Sequence, residues 1–136
     1  HGDGELQEGQ VWEAFMYAAG KNVDNVIATI DYNGRQIDGD TDQVLPLGDL
    51  RAKLEAFGWI VLEEKDGNDL EKVIAILEEA KALTGKGKPV SILLHTEMGN
   101  GVDYMMGSHS WHGKAPNDEQ LASALEQNPE TELTDY

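Results

Sequence analysis

Three continuous apolar runs divide this chain, and each predicts a strand that is covered on both faces, as in a parallel sheet. The predicted strands are residues 25–32, 59–62 and 89–95. In the first of them, the run Val-Ile-Ala-Thr-Ile contains a single polar residue. A strand with one face in water would instead alternate apolar and polar residues.

Between these runs, apolar residues recur every three or four positions, which is the spacing of an amphipathic helix. Predicted helices span residues 10–19 and 50–57, a third has apolar positions from 70 to 80, and a fourth ends near 127. The apolar stripe of the third consists of Leu70, Val73, Ile74, Leu77 and Ala80. Because helices alternate with strands, the predicted fold class is α/β with a parallel sheet of three strands.

Polar residues mark the starts of the last two helices. Asn68 with Glu71, and Asn117 with Gln120, have the spacing of a capping box. In such a box, two side chains satisfy two backbone N–H groups that the first helical turn leaves free. We therefore expect each of these helices to begin directly after its asparagine.

Length and composition are those of one globular domain. The chain has 136 residues, of which 40% are hydrophobic, so it can form a single core. We expect the domain to span residues 1–128 and an acidic tail to span 129–136. Within the domain, the polar stretches 33–47 and 96–116 are predicted as loops.

Charge and residue usage argue against several classes of partner. The chain has 26 acidic and 10 basic residues, and its formal net charge of −16 argues against nucleic acid and anionic membranes. It has no cysteine, so disulfides and thiolate metal sites are excluded. No apolar run approaches the length of a membrane span, and we expect a cytoplasmic location.

The candidate chemistry lies in two short polar motifs. Gly2, Asp3 and Gly4 precede the first helix, and Asn33 with Gly34 follows the first strand. Carboxylate and amide oxygens are ligands that Mg²⁺ prefers, commonly beside phosphate oxygens. Glycines let the backbone approach a phosphate closely, and a helix start offers free N–H groups. Together the motifs predict a metal–diphosphate site at the carboxyl edge of the sheet.

The residues alone leave other interpretations open. Residues 31–42 imitate a calcium-binding loop, although Gln36 takes the place of its glycine and Asp42 that of its glutamate. His109 and His112 have the spacing of half a zinc site, which no cysteine completes. A lone Gly-Asp-Gly triplet is also commonly an ordinary turn.

Four segments of the chain together resemble transketolase. They are Gly-Asp-Gly-Glu-Leu-Gln-Glu-Gly at 2–9, Asp-Tyr-Asn-Gly with Gln-Ile-Asp-Gly at 31–39, Phe-Gly-Trp at 57–59, and Gly-Ser-His-Ser-Trp-His-Gly-Lys-Ala-Pro at 107–116. The chain looks most like the N-terminal subunit of the split bacterial transketolases, in which two polypeptides form the enzyme. The resemblance covers nearly the whole chain, and we expect the upstream half of that subunit to be missing from it.

The resemblance implies part of a parallel-sheet thiamine-diphosphate-binding fold and a place in the pentose phosphate pathway. The implied enzyme transfers a two-carbon ketol group from a ketose phosphate to an aldose phosphate. By the same resemblance, Asp3, the side-chain oxygen of Asn33 and the backbone carbonyl of Arg35 would be the Mg²⁺ ligands. Ca²⁺ or Mn²⁺ would be substitutes for Mg²⁺.

Further residues take expected roles from the resemblance. Gly4 would lie against the diphosphate, and Ile37 would pack against the thiazolium ring. His112 would lie beside the diphosphate and the reacting sugar, as an active-site histidine. Glu8 matches an acidic position at a dimer interface near the cofactor, and His112 and Glu8 are the expected catalytic residues.

The implied partners are sugar phosphates, a second copy of the assembly and a C-terminal transketolase subunit. Other contacts to the cofactor would come from outside this chain, so we expect it to be inactive alone. Another thiamine-diphosphate enzyme is an alternative, either a deoxyxylulose-phosphate synthase or the E1 component of a 2-oxoacid dehydrogenase, although residues 107–116 favour transketolase. A non-catalytic fragment or interaction module is a second alternative, because part of a sheet would leave apolar surfaces open.

Overall fold

A parallel sheet lies at the centre of the computed structural model, in which residues 1–129 are described. Numbered along the chain, the strands are β1 (Ile27–Tyr32), β2 (Arg35–Gln36), β3 (Gly39–Asp40), β4 (Ile60–Glu64) and β5 (Val90–His95). The parallel sheet has the order β1-β5-β4, so the last strand in the chain is the central one. This confirms the predicted α/β fold with three parallel strands.

Five α-helices accompany the strands within residues 1–129. They are α1 (Gly9–Gly20), α2 (Thr41–Val44), α3 (Leu50–Phe57), α4 (Leu70–Leu83) and α5 (Asp118–Gln127). In the chain, α2 and α3 lie between β1 and β4, and α4 lies between β4 and β5. α5 begins at the predicted capping box, in which Asn117 and Gln120 exchange side-chain-to-backbone hydrogen bonds. Among residues 1–129, no helix is long and apolar enough to cross a membrane.

The two faces of the sheet support separate apolar clusters. On one face, α1 and α3 cover Ile30 and Leu93, and Trp59 donates its indole N–H to the carbonyl of Phe15 at 2.9 Å. On the other face, α4 covers Val90 and Ile92 of the central strand. Coverage on both faces explains why the strands are continuous apolar runs.

The rotation of α4 differs from the predicted one. Ile76 and Ala80 face the sheet, whereas Leu70 is 70% exposed and Ile74 is 53% exposed. Apolar residues occupy most positions of this helix, so its pattern fits more than one rotation about the helix axis. The stripe expected to face the sheet is therefore only partly buried.

The start of α4 also differs from the prediction. Asp69 caps the helix, because its carboxylate accepts the N–H groups of Glu71 and Lys72. The side chain of Asn68 instead accepts the backbone N–H of Glu97 at 2.6 Å. Asn68 thus links the loop after β5 to the start of α4, and Asp69 is the N-cap residue.

The first predicted loop contains regular structure. Within residues 33–47, β2 and β3 pair as an antiparallel hairpin, and α2 follows it. The second loop, residues 96–116, contains a 3-10 turn at His109–Trp111. Most of the predicted acidic tail lies outside the described residues.

Candidate functional site

The first residues of the chain pair with the end of β1. The backbone N–H of Asp31 donates to the carbonyl of His1 at 2.8 Å, and that of Asp3 donates to the carbonyl of Asp31 at 3.0 Å. This parallel bridge places Asp3 beside the residues that follow β1. The two polar motifs predicted to form one site are therefore adjacent at the carboxyl edge of the sheet.

Asp3 has a fully buried carboxyl group. Its oxygens accept the backbone N–H of Gly4 at 2.9 Å and that of Gly34 at 2.7 Å. Burial raises the pKa of this carboxyl, and the two hydrogen bonds act in the opposite direction. A cation bound at these oxygens would offset the cost of burying the charge.

The side-chain amide of Asn33 is held from both ends. Its oxygen accepts the N–H of Arg35 at 2.8 Å, and its nitrogen donates to Asp31 at 3.2 Å. The hydroxyl of Thr96 donates to the same oxygen of Asp31, which joins the ends of β1 and β5. The contacts to Arg35 and Asp31 fix the orientation of the Asn33 amide. The side-chain oxygen of Asn33 accepts one hydrogen bond, so its second lone pair is available to a cation.

The hairpin packs directly over the Gly-Asp-Gly turn. A Cβ atom on Gly4 would lie 2.5 Å from the Cβ of Gln36, a residue that is itself buried. Only glycine permits this approach. An ion pair between Arg35 and Asp40 spans the hairpin, and Ile37 at its tip is 64% exposed.

All the predicted site residues line one cleft of about 650 Å³. They are Asp3, Gly4, Glu8, Asn33, Arg35, Ile37 and His112. The 3-10 turn at His109–Trp111 contacts β3 and brings the exposed His112 to this cleft from 79 residues beyond Asn33 in the sequence. The structure thus brings three distant segments together, while the roles of these residues stay predictions.

Several residues of the cleft were missed from the sequence. Gln7, Gln36, Asp38 and Val44 also line it. Gln7 lies on a 3-10 turn and donates to the carbonyl of Leu45 at 2.8 Å, which joins the turn to the end of α2. Gln7, Gln36 and Asp38 lie in the motifs at 2–9 and 31–39, which were the signal that could have identified them, whereas Val44 lies in none of the quoted motifs.

The two other metal interpretations lack support in the structure. Residues 31–42 form the end of β1, the hairpin and the start of α2. Within residues 1–129, no group of three or more His, Cys, Asp or Glu side chains could hold a metal ion, so His109 and His112 have no third ligand of these types. The oxygen set of Asp3, Asn33 and a backbone carbonyl fits a hard cation such as Mg²⁺, with phosphate oxygens completing the shell.

An ionic cluster centred on Glu63 lies at the carboxyl ends of β4 and β5, on the same edge of the sheet as the cleft. Glu63 lies 2.6 Å from the imidazole of His95 and 3.1 Å from the guanidinium of Arg51, and it pairs with Lys65 as well. Hydrogen bonds from Lys65 and His95 lower the pKa of Glu63 to about 2. The ring of Tyr32 lies 5.0 Å from that of His95, so the cluster also contacts β1.

Aromatic contacts brace the loop that carries His112. The ring centroids of Tyr104 and Trp111 lie 5.0 Å apart at a steep angle, and the ammonium of Lys114 lies 4.7 Å from the Trp111 ring. The Tyr104 hydroxyl donates to the carbonyl of Gln120, at 2.7 Å. The loop is therefore anchored to α5 on one side while it reaches the cleft on the other.

Comparison with known proteins identifies the family. Residues 1–131 match the model described as the transketolase thiamine diphosphate binding domain. The chain belongs to the transketolase family. This confirms the resemblance found in the sequence motifs, and it makes the cleft part of a thiamine-diphosphate-binding domain.

Curated members of the transketolase family show similar sequences. The 6-deoxy-6-sulfo-D-fructose transketolase subunit SqwG of a Clostridium species (strain MSTE9) is 41% identical over 91% of this chain and 44% of its own length. One subunit of the apulose-4-phosphate transketolase of Phocaeicola vulgatus is 40% identical over 91% of this chain and 43% of its own length. The chain thus spans less than half the length of these relatives, both of which are named as subunits.

Solved transketolases have the same fold. The Campylobacter jejuni enzyme superposes with a TM-score of 0.82 at 35% identity, over 93% of this chain and 19% of that enzyme chain. The Pichia stipitis enzyme, in complex with sedoheptulose 7-phosphate, gives a TM-score of 0.83 at 31% identity and covers the same share of this chain. The described residues therefore correspond to one portion of a transketolase.

Proposed function

We propose that this chain supplies the diphosphate- and Mg²⁺-binding half of a transketolase active site. The observation that carries this proposal is the convergence of Asp3, Asn33, Arg35 and His112 on one cleft. These residues come from three separate segments, and together they combine cation ligands with a proton-transfer group. The reaction of the assembled enzyme would be the transfer of a two-carbon ketol group from a ketose phosphate to an aldose phosphate.

Asp3, Asn33 and the carbonyl of Arg35 would hold the Mg²⁺ ion. The Asp3 carboxylate is fully buried, and its two hydrogen bonds come from backbone N–H groups. A chain with a formal net charge of −16 repels a diphosphate, so a cation is needed to neutralise that group locally. Ca²⁺ and Mn²⁺ prefer oxygen ligands too and would be substitutes.

The remaining cleft residues would position the organic cofactor and the sugar. Thiamine diphosphate, when bound, supplies stabilisation of a carbanion. Gly4, which lines the cleft, would lie against the diphosphate, and the exposed Ile37 would cover the apolar ring. The imidazole of His112 would hold and move a proton, and Glu8 would act at the adjoining subunit contact.

The names of the similar proteins, and the fraction of their length that this chain covers, indicate which partners to propose. Relatives named as subunits, of which the chain spans less than half, support a partner subunit, which we propose is a C-terminal transketolase subunit. A second copy of the assembly is proposed from the family resemblance. The names of these relatives specify a sulfonated fructose and apulose 4-phosphate. The donor sugar is therefore best determined by trying several classes rather than by assuming a pentose phosphate.

The test is a ketol-transfer assay on the assembled enzyme that contains this chain, with thiamine diphosphate and Mg²⁺. The donors would be xylulose 5-phosphate, 6-deoxy-6-sulfo-D-fructose and apulose 4-phosphate, and the acceptor ribose 5-phosphate. We expect transfer from at least one donor. Turnover of pyruvate alone would refute the proposal and indicate a different thiamine-diphosphate enzyme.

A pair of variants tests the metal ligands directly. We expect Asp3→Asn to raise the Mg²⁺ concentration needed for cofactor binding by about tenfold or more, because it removes the charged ligand. Asp38→Asn is the matched control, since Asp38 lines the same cleft outside the ligand set. Equal effects of the two changes on titrations with Mg²⁺ would contradict the assigned roles.

The isolated chain gives a further check by calorimetry with Mg²⁺ and thiamine diphosphate. We expect weak or undetectable binding, because the family resemblance places other cofactor contacts on a second polypeptide. A micromolar dissociation constant for the isolated chain would contradict this expectation.

A further inference from the structure

The chain contains two Asn-Gly pairs, Asn33-Gly34 and Asn100-Gly101. In such a pair the backbone nitrogen of glycine can attack the asparagine side chain, because glycine has no side chain to hinder it. The reaction needs a free glycine N–H and a free side-chain amide. Both groups are free of hydrogen bonds to residues 1–129 at Asn100-Gly101, whereas both are hydrogen-bonded at Asn33-Gly34.

The pair at the cleft is blocked at each reacting group. The N–H of Gly34 donates to the buried carboxylate of Asp3 at 2.7 Å. The amide of Asn33 is bound at its oxygen by Arg35 and at its nitrogen by Asp31. Turning the Asn33 side chain towards the Gly34 nitrogen would break its hydrogen bonds to Arg35 and Asp31. The bond from Gly34 to Asp3 and the bond from Asn33 to Asp31 each involve a carboxylate and are therefore strong.

In the loop after β5, neither reacting group of the pair Asn100-Gly101 forms a hydrogen bond within residues 1–129. Asn100 is exposed, and its side chain forms no hydrogen bond with any of residues 1–129. The N–H of Gly101 likewise has no acceptor in that part of the chain. The surrounding turn is held at other groups: Val102 donates to the carbonyl of Gly99 at 3.0 Å, and Asn128 donates to the carbonyl of Gly101.

We propose that Asn100 is a site of spontaneous deamidation and that Asn33 is protected from it by the fold. The backbone nitrogen of Gly101 bonds to the side-chain carbonyl carbon of Asn100, and ammonia leaves with the displaced proton. Water then opens the resulting succinimide at either carbonyl. The products are aspartate, or isoaspartate in which the main chain is longer by one methylene.

Conversion at Asn100 would alter the loop that carries His112. The carbonyl of Gly101 accepts the side-chain amide of Asn128 at 3.0 Å, just beyond the end of α5. An isoaspartate at Asn100 displaces this carbonyl, and each product adds a negative charge to an already acidic chain. Deamidation therefore acts on an anchor of the loop at a distance from the cofactor ligands.

Peptide mapping can follow both sites in one sample, because trypsin separates them. Asn33 lies in the fragment 22–35, and Asn100 is the sole asparagine of the fragment 87–114. The native chain would be incubated at mildly alkaline pH and sampled over days, with isoaspartate detected by enzymatic methylation. We expect conversion at Asn100 to be roughly tenfold faster or more than at Asn33, since hydrogen bonds hold only the latter.

A parallel incubation in concentrated denaturant serves as the control. Without the fold, the two pairs should convert at similar rates. Asn100→Gln should abolish the change in the fragment 87–114 in each condition. The proposal would be overturned if, in the native chain, Asn33 were converted as fast as Asn100. It would also be overturned if Asn33 were still converted more slowly than Asn100 in denaturant, because the fold could not then be the cause.

Discussion

Replacing Glu63 with glutamine tests the ionic cluster at the sheet edge. The cluster lowers the pKa of Glu63 from 4.5 to about 2, and one pKa unit corresponds to about 1.4 kcal/mol. A fully shielded carboxylate would therefore contribute about 3 kcal/mol to the free energy of unfolding. Glu63 is 19% exposed but Lys65 is 72% exposed, so screening by solvent reduces the expected loss in Glu63→Gln to about 1–2 kcal/mol.

The pH dependence of this loss has a definite sign. Because the pKa of Glu63 is lower in the folded chain, its contribution is complete above pH 4.5 and disappears as the pH falls towards 2. Urea unfolding of the original chain and of Glu63→Gln across this window measures the difference. We expect the two unfolding free energies to converge as the pH approaches 2.

Glu55 provides the matched control for this experiment. It also pairs with Arg51, at 3.1 Å, but its side chain is 50% exposed. We expect Glu55→Gln to change the unfolding free energy by less than about 0.5 kcal/mol. An equal loss in both variants, or a Glu63→Gln difference that does not change between pH 4.5 and 2, would refute the reasoning.

Four other substitutions test packing, each by urea unfolding. Gly4→Ala should lower the unfolding free energy by about 1–3 kcal/mol because its Cβ would meet Gln36, and an unchanged value would contradict the close approach. Ser91→Ala should raise it by up to about 1 kcal/mol, because the buried hydroxyl has no partner in the described chain; a clear loss would reveal one. Ile76→Ala should cost about 2–4 kcal/mol and Ile74→Ala under about 1 kcal/mol, and the reverse order would contradict the rotation of α4.

The positions of the ligand candidates could be predicted from the sequence for a simple geometric reason. The carboxyl ends of parallel strands meet at one edge, so a motif after β1 and a motif paired with β1 must be close. Asp3 and Asn33 follow this rule. The same rule brings the start of the loop 96–116 to this edge, because that loop follows β5. The place of His112 within this long loop was predicted only from the family resemblance.

Features that depend on tertiary contacts could not be predicted. Asn68 and Asp69 are adjacent and both suit a helix cap, so only the distant N–H of Glu97, which binds Asn68, decides between them. The burial of Gln36 against Gly4 depends on a two-residue hairpin within a polar segment. In both cases the two residues in contact are far apart in the sequence, so local sequence patterns cannot predict the contact.

The pairing of the first three residues with β1 has a consequence for how the site opens. Local opening frees backbone amides without global unfolding. If the pairing of residues 1–3 with β1 opens, Asp3 leaves Gly34 and the proposed ligand set separates while the rest of the sheet persists. Amide hydrogen exchange at Gly34 would report this opening, and a bound cation would slow the exchange by mass action. Cation binding and closure of this edge are then linked equilibria, and each favours the other.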